Sequence, residues 1–423
     1  VNGQDIKKIT IDGKTFFLDD PQLASKNIPA KIVNKVKVVE RKSDQAQFTG
    51  IDDGEEETVI DLSIRPGMMK GTFGNVMGGL GHDTRADGDY RYQGAAFAGK
   101  FTDTQQLSLV ANANNTNNRG FNDLSGSMMG GMRGGGGGRG RGQGGWGRGN
   151  GITTSYMGGV NGAWTLLDGA MDLSGNYLYN NTDRDVKESS DKTTYMASGD
   201  DLFQHSSSTD NTASQGHRFG VRLDHKWNEQ TSILFEPRVN FGTGAFTEVD
   251  TTYTKYGSDE GLKANESESF SHGDNRNVST SGFVLFRQRL GAPGRTMTVM
   301  GSYNFSNNVV DGINRSSTTT FDERQQGSTD LINQTYNDKR NSASLWGRVT
   351  FTQPIWKEKL FVEANYSYSW NKSTSTKDTY DIGDSQTKTL NEDYSNSVNN
   401  EYVNQEIGAN LMYQTPKFRA QLG

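Results

Sequence analysis

The sequence predicts a mostly β protein: an antiparallel up-and-down transmembrane β-barrel, with about 12–13 strands present, preceded by a small α+β unit. Three observations carry that prediction. From Gly71 onward, apolar and polar residues alternate at period two over runs of ten or more residues, where a globular strand usually has about five or six. The links between these runs alternate short and long, and aromatic residues mark both ends of the runs.

Composition fits such an architecture and excludes several others. Only 32% of the 423 residues are apolar, and mean hydropathy is −0.77. With no run of about 18 apolar residues anywhere, a helical membrane protein is excluded. An aromatic share of 10% is too high for disorder along the whole chain. The absence of Cys removes disulfide scaffolds, thiolate metal sites and Cys nucleophiles. Net charge of −6 and a pI near 5.5 argue against nucleic acid as a main partner. The chain opens at Val1-Asn2-Gly3 without a basic-then-apolar leader, so a removed leader or an internal fragment is expected.

Residues 1–66 form the first unit, of mixed α and β pattern. Lys8 to Asp12 reads as a short strand closed by the Asp12-Gly13 turn signal. Asp20-Pro21 reads as an N-cap followed by Pro at the first helical position, opening a short helix to about Asn27. Ile28-Pro29 repeats the device for a helix over Ala30 to Asn34. The β-branched Val36, Val38 and Val39 then predict a strand, and Thr58 to Ile64 another.

Residues 67–423 form the second unit. In Leu360 to Trp370 one parity is Leu360, Val362, Ala364, Tyr366, Tyr368 and Trp370, and the other is polar apart from Phe361. His217 to Trp227, Ile233 to Phe241 and Met297 to Phe305 repeat the pattern; weaker copies occur at Leu107 to Ala113, Met171 to Tyr179, Val284 to Leu290, Ala343 to Phe351 and Ile407 to Tyr413. Gly-rich stretches near 71–81, 90–100 and 157–166 complete the set, and Arg419 starts one more strand. Pro237 falls on the apolar parity of its run; it donates no ladder bond, and a bulge is the expected accommodation.

Tight links are expected at Phe101-Thr104, Leu167-Ala170, Asn228-Gln230, Gly291-Gly294, Gln353-Lys359 and Gln414-Phe418, and long polar excursions at about 114–151, 184–213, 250–277, 311–340 and 378–397. An outer-membrane barrel has short periplasmic turns and long extracellular loops, which sets the expected orientation: long loops outside, the first unit facing the periplasm. Trp164, Trp227, Trp356 and Phe418 lie beside tight turns, and Tyr179, Tyr368 and Trp370 toward the long links, as two interfacial girdles would. A soluble sandwich remains the alternative for the same alternation. Under the barrel reading lipid covers the apolar parity, and the lumen-facing charges Arg222, Glu236, Arg238, Arg287, Arg348 and Glu363 are candidates for a ligand path, or for simple pairing with the first unit.

Other motifs have ordinary readings. In Gly126 to Gly151, 15 of 26 residues are Gly, with four Arg and no acidic residue, so a solvated surface loop is expected in preference to a phosphate-binding tract. Gly140, Gly142 and Gly145 match a dinucleotide fingerprint without a strand before or a helix after, and Met128, Met129 and Met132 read as incidental rather than metal-binding. Asp52, Asp53, Glu55, Glu56 and Glu57 lack EF-hand spacing and read as a solvated turn. Neither zinc-hydrolase nor nucleophile-elbow spacing occurs, so no enzyme, metal or cofactor is expected.

The segment Ile9 to Pro21, with its Asp-Gly turn, and Asn27-Ile-Pro-Ala-Lys-Ile-Val-Asn-Lys-Val-Lys-Val-Val-Glu40 resemble the later half of the plug domain of TonB-dependent outer-membrane receptors. The continuation Lys42 to Gly54 looks like the version found in an outer-membrane β-barrel family of Bacteroidota. The resemblance is close over the plug remnant and extends to the barrel as a pattern. It implies a plug seated in a barrel of about 22 strands and energised import of an unspecified ligand through a TonB-type inner-membrane complex. This chain departs from that pattern: the plug's beginning, the TonB-contact segment and the last strands lie outside it, as in an internal fragment. A non-transporting surface barrel with an adhesion or assembly role, and a secreted soluble β-protein binding glycan or nucleic acid, are the alternatives.

Overall fold

The computed structural model describes residues 8–15, 33–50, 56–65, 71–84, 88–117, 151–197, 201–356, 359–383, 385–415 and 418–423. The first unit is a four-stranded sheet in the order β2-β1-β4-β3. β1 (Lys8–Ile11) and β2 (Lys14–Thr15) form a hairpin across Asp12 and Gly13, whose φ values of 46° and 80° are what a two-residue turn of the primed type requires. β4 (Glu56–Ile64) runs parallel to β1 and antiparallel to β3 (Val33–Lys42). Val33 and Asn34 therefore open a strand rather than close a helix; β-branched Val33, Val36, Val38 and Val39 pair more readily along β4 than a five-residue helix could hold itself together. The expected helix from Pro21 lies outside the described residues, as do Asp52, Asp53 and Glu55.

One helix, α1 (Asp44–Thr49), was not expected. Its ends are both capped: the Ser43 hydroxyl accepts from Ala46 N at 3.0 Å, and Gly50, at φ 73°, donates its N–H to Ala46 O.

The second unit is one antiparallel meander. Its members are β5 (Gly71–His82), β6 (Tyr90–Phe101), β7 (Gln105–Asn114), β8 (Ile152–Leu166), β9 (Met171–Thr194), β10 (Leu202–Lys226), β11 (Thr231–Tyr256), β12 (Lys263–Arg289), β13 (Thr296–Phe321), β14 (Gly327–Trp356), β15 (Leu360–Ile382), β16 (Lys388–Leu390), β17 (Asn396–Gln414) and β18 (Arg419–Leu422). The wall runs from β5 to β18 in chain order, with the short β16 set aside against β15. Among the described residues, no pairing joins β18 to β5. The fold is thus a partial up-and-down antiparallel β-barrel.

Register turns the alternation of single strands into continuous bands. Phe235, Val284, Gly301, Gly347, Tyr368 and Gln405 lie on one outward rung across six strands; Ile233, Phe286, Val299, Val349, Tyr366 and Ile407 form the next. Between Leu360 and Trp370 the outward parity is apolar for about ten residues, or about 34 Å of strand; at a tilt of ~45° this is about 24 Å, matching the ~25 Å apolar band of an outer-membrane barrel. Trp227 and Trp356 close the band at the tight turns, where both are exposed. At the other edge His217 stacks on Phe241 (4.7 Å) and lies beside Tyr179 (5.1 Å), while Trp370 donates to Glu401 at 2.9 Å. The two girdles stand where the sequence places them.

The long excursions are where expectation and structure part. Three of the five are mostly strand and that at 378–397 is half strand: β11, β12, β13 and β14 run 26, 27, 26 and 30 residues, and the links beyond them shrink to 257–262 and 322–326. About ten residues of a tilted strand suffice for the bilayer, so more than half of each ribbon stands clear of the apolar band as a polar crown. Both faces of the crown meet water, so no alternation marks it in the sequence. Hydroxyl pairs across the ladder reinforce it, Ser190 with Ser206 at 2.8 Å and Thr319 with Thr329 at 2.9 Å. The fifth excursion, with the Gly/Arg-rich segment, lies almost wholly outside the described residues.

Pro237 sits in register opposite Gly282 with no bulge. Pairing with β10 lapses there instead, between the Gly220–Arg238 and Leu223–Phe235 partners, so the missing N–H falls on that side. Gly282 has its own role on the lipid face: a Cβ there would meet the Tyr303 ring at 2.4 Å, so the ring lies across the glycine. Gly282→Val is expected to lower stability by about 1–3 kcal/mol through overpacking, read as a shifted denaturant midpoint in detergent. An unchanged midpoint would show that the ring is free to move away.

Candidate functional site

The first unit is seated against the lumen face of the wall at its tight-turn end. Ile9, Ile11, Leu62 and Ile64 pack with inward Phe97, Phe101, Val110, Met157 and Leu178 in the largest apolar core. Gln106 donates to Ile11 O at 3.1 Å, and Lys14 to Asp103 O at 3.0 Å in the β6–β7 turn. On the other side α1 reaches across to β10, β12 and β17: Gln414 donates to Gly50 O at 3.1 Å, and Arg289 donates to Phe48 O at 3.3 Å with its guanidinium 4.8 Å from the Phe48 ring.

Between α1 and the far wall lies a cavity of about 1280 Å³. Arg222, Glu236, Arg348 and Glu363 line it; Arg238 and Arg287 do not. Three of the six sequence-predicted residues form one cluster. Arg222 bonds Glu236 through Nη1 and, through Nη2 at 3.1 Å, the α1 carboxylate of Asp44; Arg238 stands 3.9 Å from Glu236. Arg222 and Glu236 are 14% and 13% exposed and Asp44 22%, so the shared guanidinium holds two carboxylates in a mostly dry place. Arg287 pairs with Asp224 and lies over Phe48 at 5.8 Å. Glu363 accepts from Asn410 at 3.0 Å. Arg348 lies over the Trp346 ring at 5.5 Å. The six are therefore spread round the lumen and do not converge on one point.

Sequence reasoning missed Asp44 and Phe48, because α1 itself was missed. The Ser43 cap and the Gly50 stop seven residues later were the available signals. Trp346 also escaped notice, although its parity with Arg348 and Thr350 directs it into the lumen.

Burial opposes ionisation of Asp44, but Arg222 and then Arg41 outweigh it and hold its carboxyl below the ordinary aspartate range. A carboxyl whose folded pKa is depressed stabilises the docked state fully above its unfolded pKa near 4, and that contribution is lost as pH falls through the lower folded value. Acid is therefore expected to loosen α1 from the wall below about pH 4, and Asp44→Asn to flatten that limb. Hydrogen exchange of the α1 amides against pH checks this; an identical acid limb in the variant would contradict it.

Among the described residues no group of three or more His, Cys, Asp or Glu is placed to hold a metal ion. A meander with a lipid-height apolar outer band and a polar inner face, covered from one end by a separate small unit, defines the outer-membrane type of β-barrel fold. No family model matches the chain, and no curated protein matches it. Solved structures similar to it include the ferric-catecholate import receptor Fiu from E. coli K12 (8% identity over 97% of this chain and 77% of that chain, TM-score 0.19), the ferric preacinetobactin receptor BauA from Acinetobacter baumannii (8%, 99% and 83%, 0.22) and the ferric yersiniabactin uptake receptor FyuA from Yersinia pestis (7%, 98% and 76%, 0.20). At such TM-scores the fold assignment rests on the sheet itself.

Proposed function

We propose that the chain is the plug-and-wall part of a TonB-dependent receptor-like protein of a Gram-negative outer membrane, with the crown outside and the first unit toward the periplasm. It binds a ligand in the lumen and passes it inward as the unit shifts. The observation that supports this best is the Asp44–Arg222–Glu236 cluster. A purely structural stopper needs apolar packing, whereas a mobile one is better served by a polar contact that can open and re-form in water. The unit supplies both kinds of contact: an apolar core against β6–β9 and a polar, cation–π-rich edge against β10–β17. The polar edge is the part that moves.

Uptake of labelled ferric siderophores, cobalamin, oligosaccharides and peptides, compared between cells with and without the gene, tests the reading. Uptake that needs both the gene and the proton motive force is expected. Gene-dependent uptake that persists with a protonophore contradicts energised import, and no gene-dependent uptake of any of them leaves the non-transporting barrel as the better account.

A further inference from the structure

Away from the apolar core on β6–β9 and the small Phe361–Met412 and Val310–Tyr336 clusters, the described lumen face is mainly Ser, Thr, Asn and charge, and an apolar strip stands out on β11–β14. Register sets Leu234, Leu285 and Met300 side by side, with Arg348 next along the same rung. One rung toward the crown stand Phe283 and Trp346, joined through Ser302. Phe283, Leu285, Met300, Trp346 and Arg348 all line the cavity. An apolar strip thus ends on a guanidinium.

That guanidinium differs from its neighbours. Arg41 and Arg222 each have Asp44 within salt-bridge reach, and Lys8 has Glu57 at 3.2 Å. Among the described residues Arg348 has only the Trp346 ring, and its Nε is buried without a hydrogen-bond partner. The lumen carboxylates nearest in register are elsewhere engaged or distant. Glu236 and Asp44 are bound to Arg222, and Glu363 accepts from Asn410. Glu406 shares the rung two strands away, across Ser367, which at ordinary strand spacing is about 10 Å. A buried donor with no acceptor and an apolar strip facing a wet cavity are both unfavourable alone. One ligand relieves both.

We propose that this strip is a binding subsite for an amphipathic organic anion, its flat or apolar body lying on Phe283, Met300 and Trp346 and its carboxylate accepting from Arg348. The proposal deepens the receptor reading by naming a ligand class, and it rests on the barrel fold but not on import.

Isothermal titration of the protein in lipid nanodiscs, with empty nanodiscs as the blank, tests it using 2-naphthoate and its neutral counterpart 2-naphthalenemethanol. The naphthoate is expected to bind about tenfold or more tighter, the margin of a charge-assisted hydrogen bond. Arg348→Gln should bring it down to the alcohol's affinity, Arg348→Lys should restore part of the difference, and Met300→Ser should weaken both probes. Equal affinity of the unaltered protein for the two probes, or naphthoate binding unchanged by Arg348→Gln, overturns the proposal. Should Arg348→Gln fail to fold, the charged-to-neutral ratio of the unaltered protein decides alone. Binding as predicted alongside absent gene-dependent uptake would remove the receptor reading and keep the subsite; the reverse pair of results would do the opposite.

Discussion

Val349→Arg is expected to cost the folded protein about 2–4 kcal/mol, while Leu331→Arg on the same strand and the same face changes stability by less than about 0.5 kcal/mol. Both positions are outward on β14, and both are exposed, at 43% and 72%. In water the more exposed residue would be the more tolerant only by a small margin, and neither charge would matter much. The difference arises from the solvent. Val349 lies mid-band between Val299 and Tyr366, where a guanidinium must be drawn out of lipid or neutralised; Leu331 lies in the crown opposite Ser317, where the guanidinium is hydrated. Folding titrations into lipid vesicles read both. Two equal and small effects would mean that water, not hydrocarbon, covers the band.

Arg222→Met carries the second large effect. Removing the guanidinium leaves Glu236 and Asp44 facing one another with only Arg238 and Arg41, at 3.9 and 3.7 Å, to replace it. Loss of one partner from a buried ion pair costs about 3–5 kcal/mol, and the two remaining arginines reduce the expected figure here to about 2–3 kcal/mol. The loss should be localised. Exchange of the α1 amides should accelerate while the β12–β14 ladder stays protected, because the ladder bonds do not involve Arg222. The triple variant Asp44→Asn, Arg222→Met, Glu236→Gln should recover most of the stability, since no buried charge is then left alone. A variant as stable as the parent in the Arg222→Met background would show that the cluster holds nothing in place.

The legibility of the sequence followed the solvent on each side of a strand. Where lipid lay outside and lumen inside, as in Leu360 to Trp370, alternation was complete and strand, face and even the girdle residue Trp370 were readable. Phe361, the exception on the polar parity, packs inward on Met412 at the turn end, where the lumen is closed enough to be dry. Where water lay on both sides, as in Asp250 to Tyr256 or Ser328 to Arg340, alternation vanished and the ladder read as loop. Glycine added a second difficulty, since β5 and β6 carry several and their apolar parity is thin. The six lumen charges were readable as inward-facing from parity alone. Their partners were not. Asp44 comes from a six-residue helix 178 positions from Arg222, and no periodicity links the two. The strip ending at Arg348 was hidden for another reason, since it exists only across strands: the one or two inward apolar residues that each of β11, β12, β13 and β14 contributes become a surface when register aligns them.

The central claim, that one face of the wall meets lipid over a band and the crown above it does not, is tested most directly by scanning β14 with single spin-labelled cysteines, which the absence of native Cys makes clean. From 343 to 351 odd-numbered positions should be open to oxygen and closed to a water-soluble nickel complex, with even-numbered positions showing the reverse or protection by the lumen. From 327 to 337 the nickel complex should reach outward positions freely and the lipid signature should be gone. Nickel access at 345, 349 and 351 equal to that at 331 would contradict the membrane barrel.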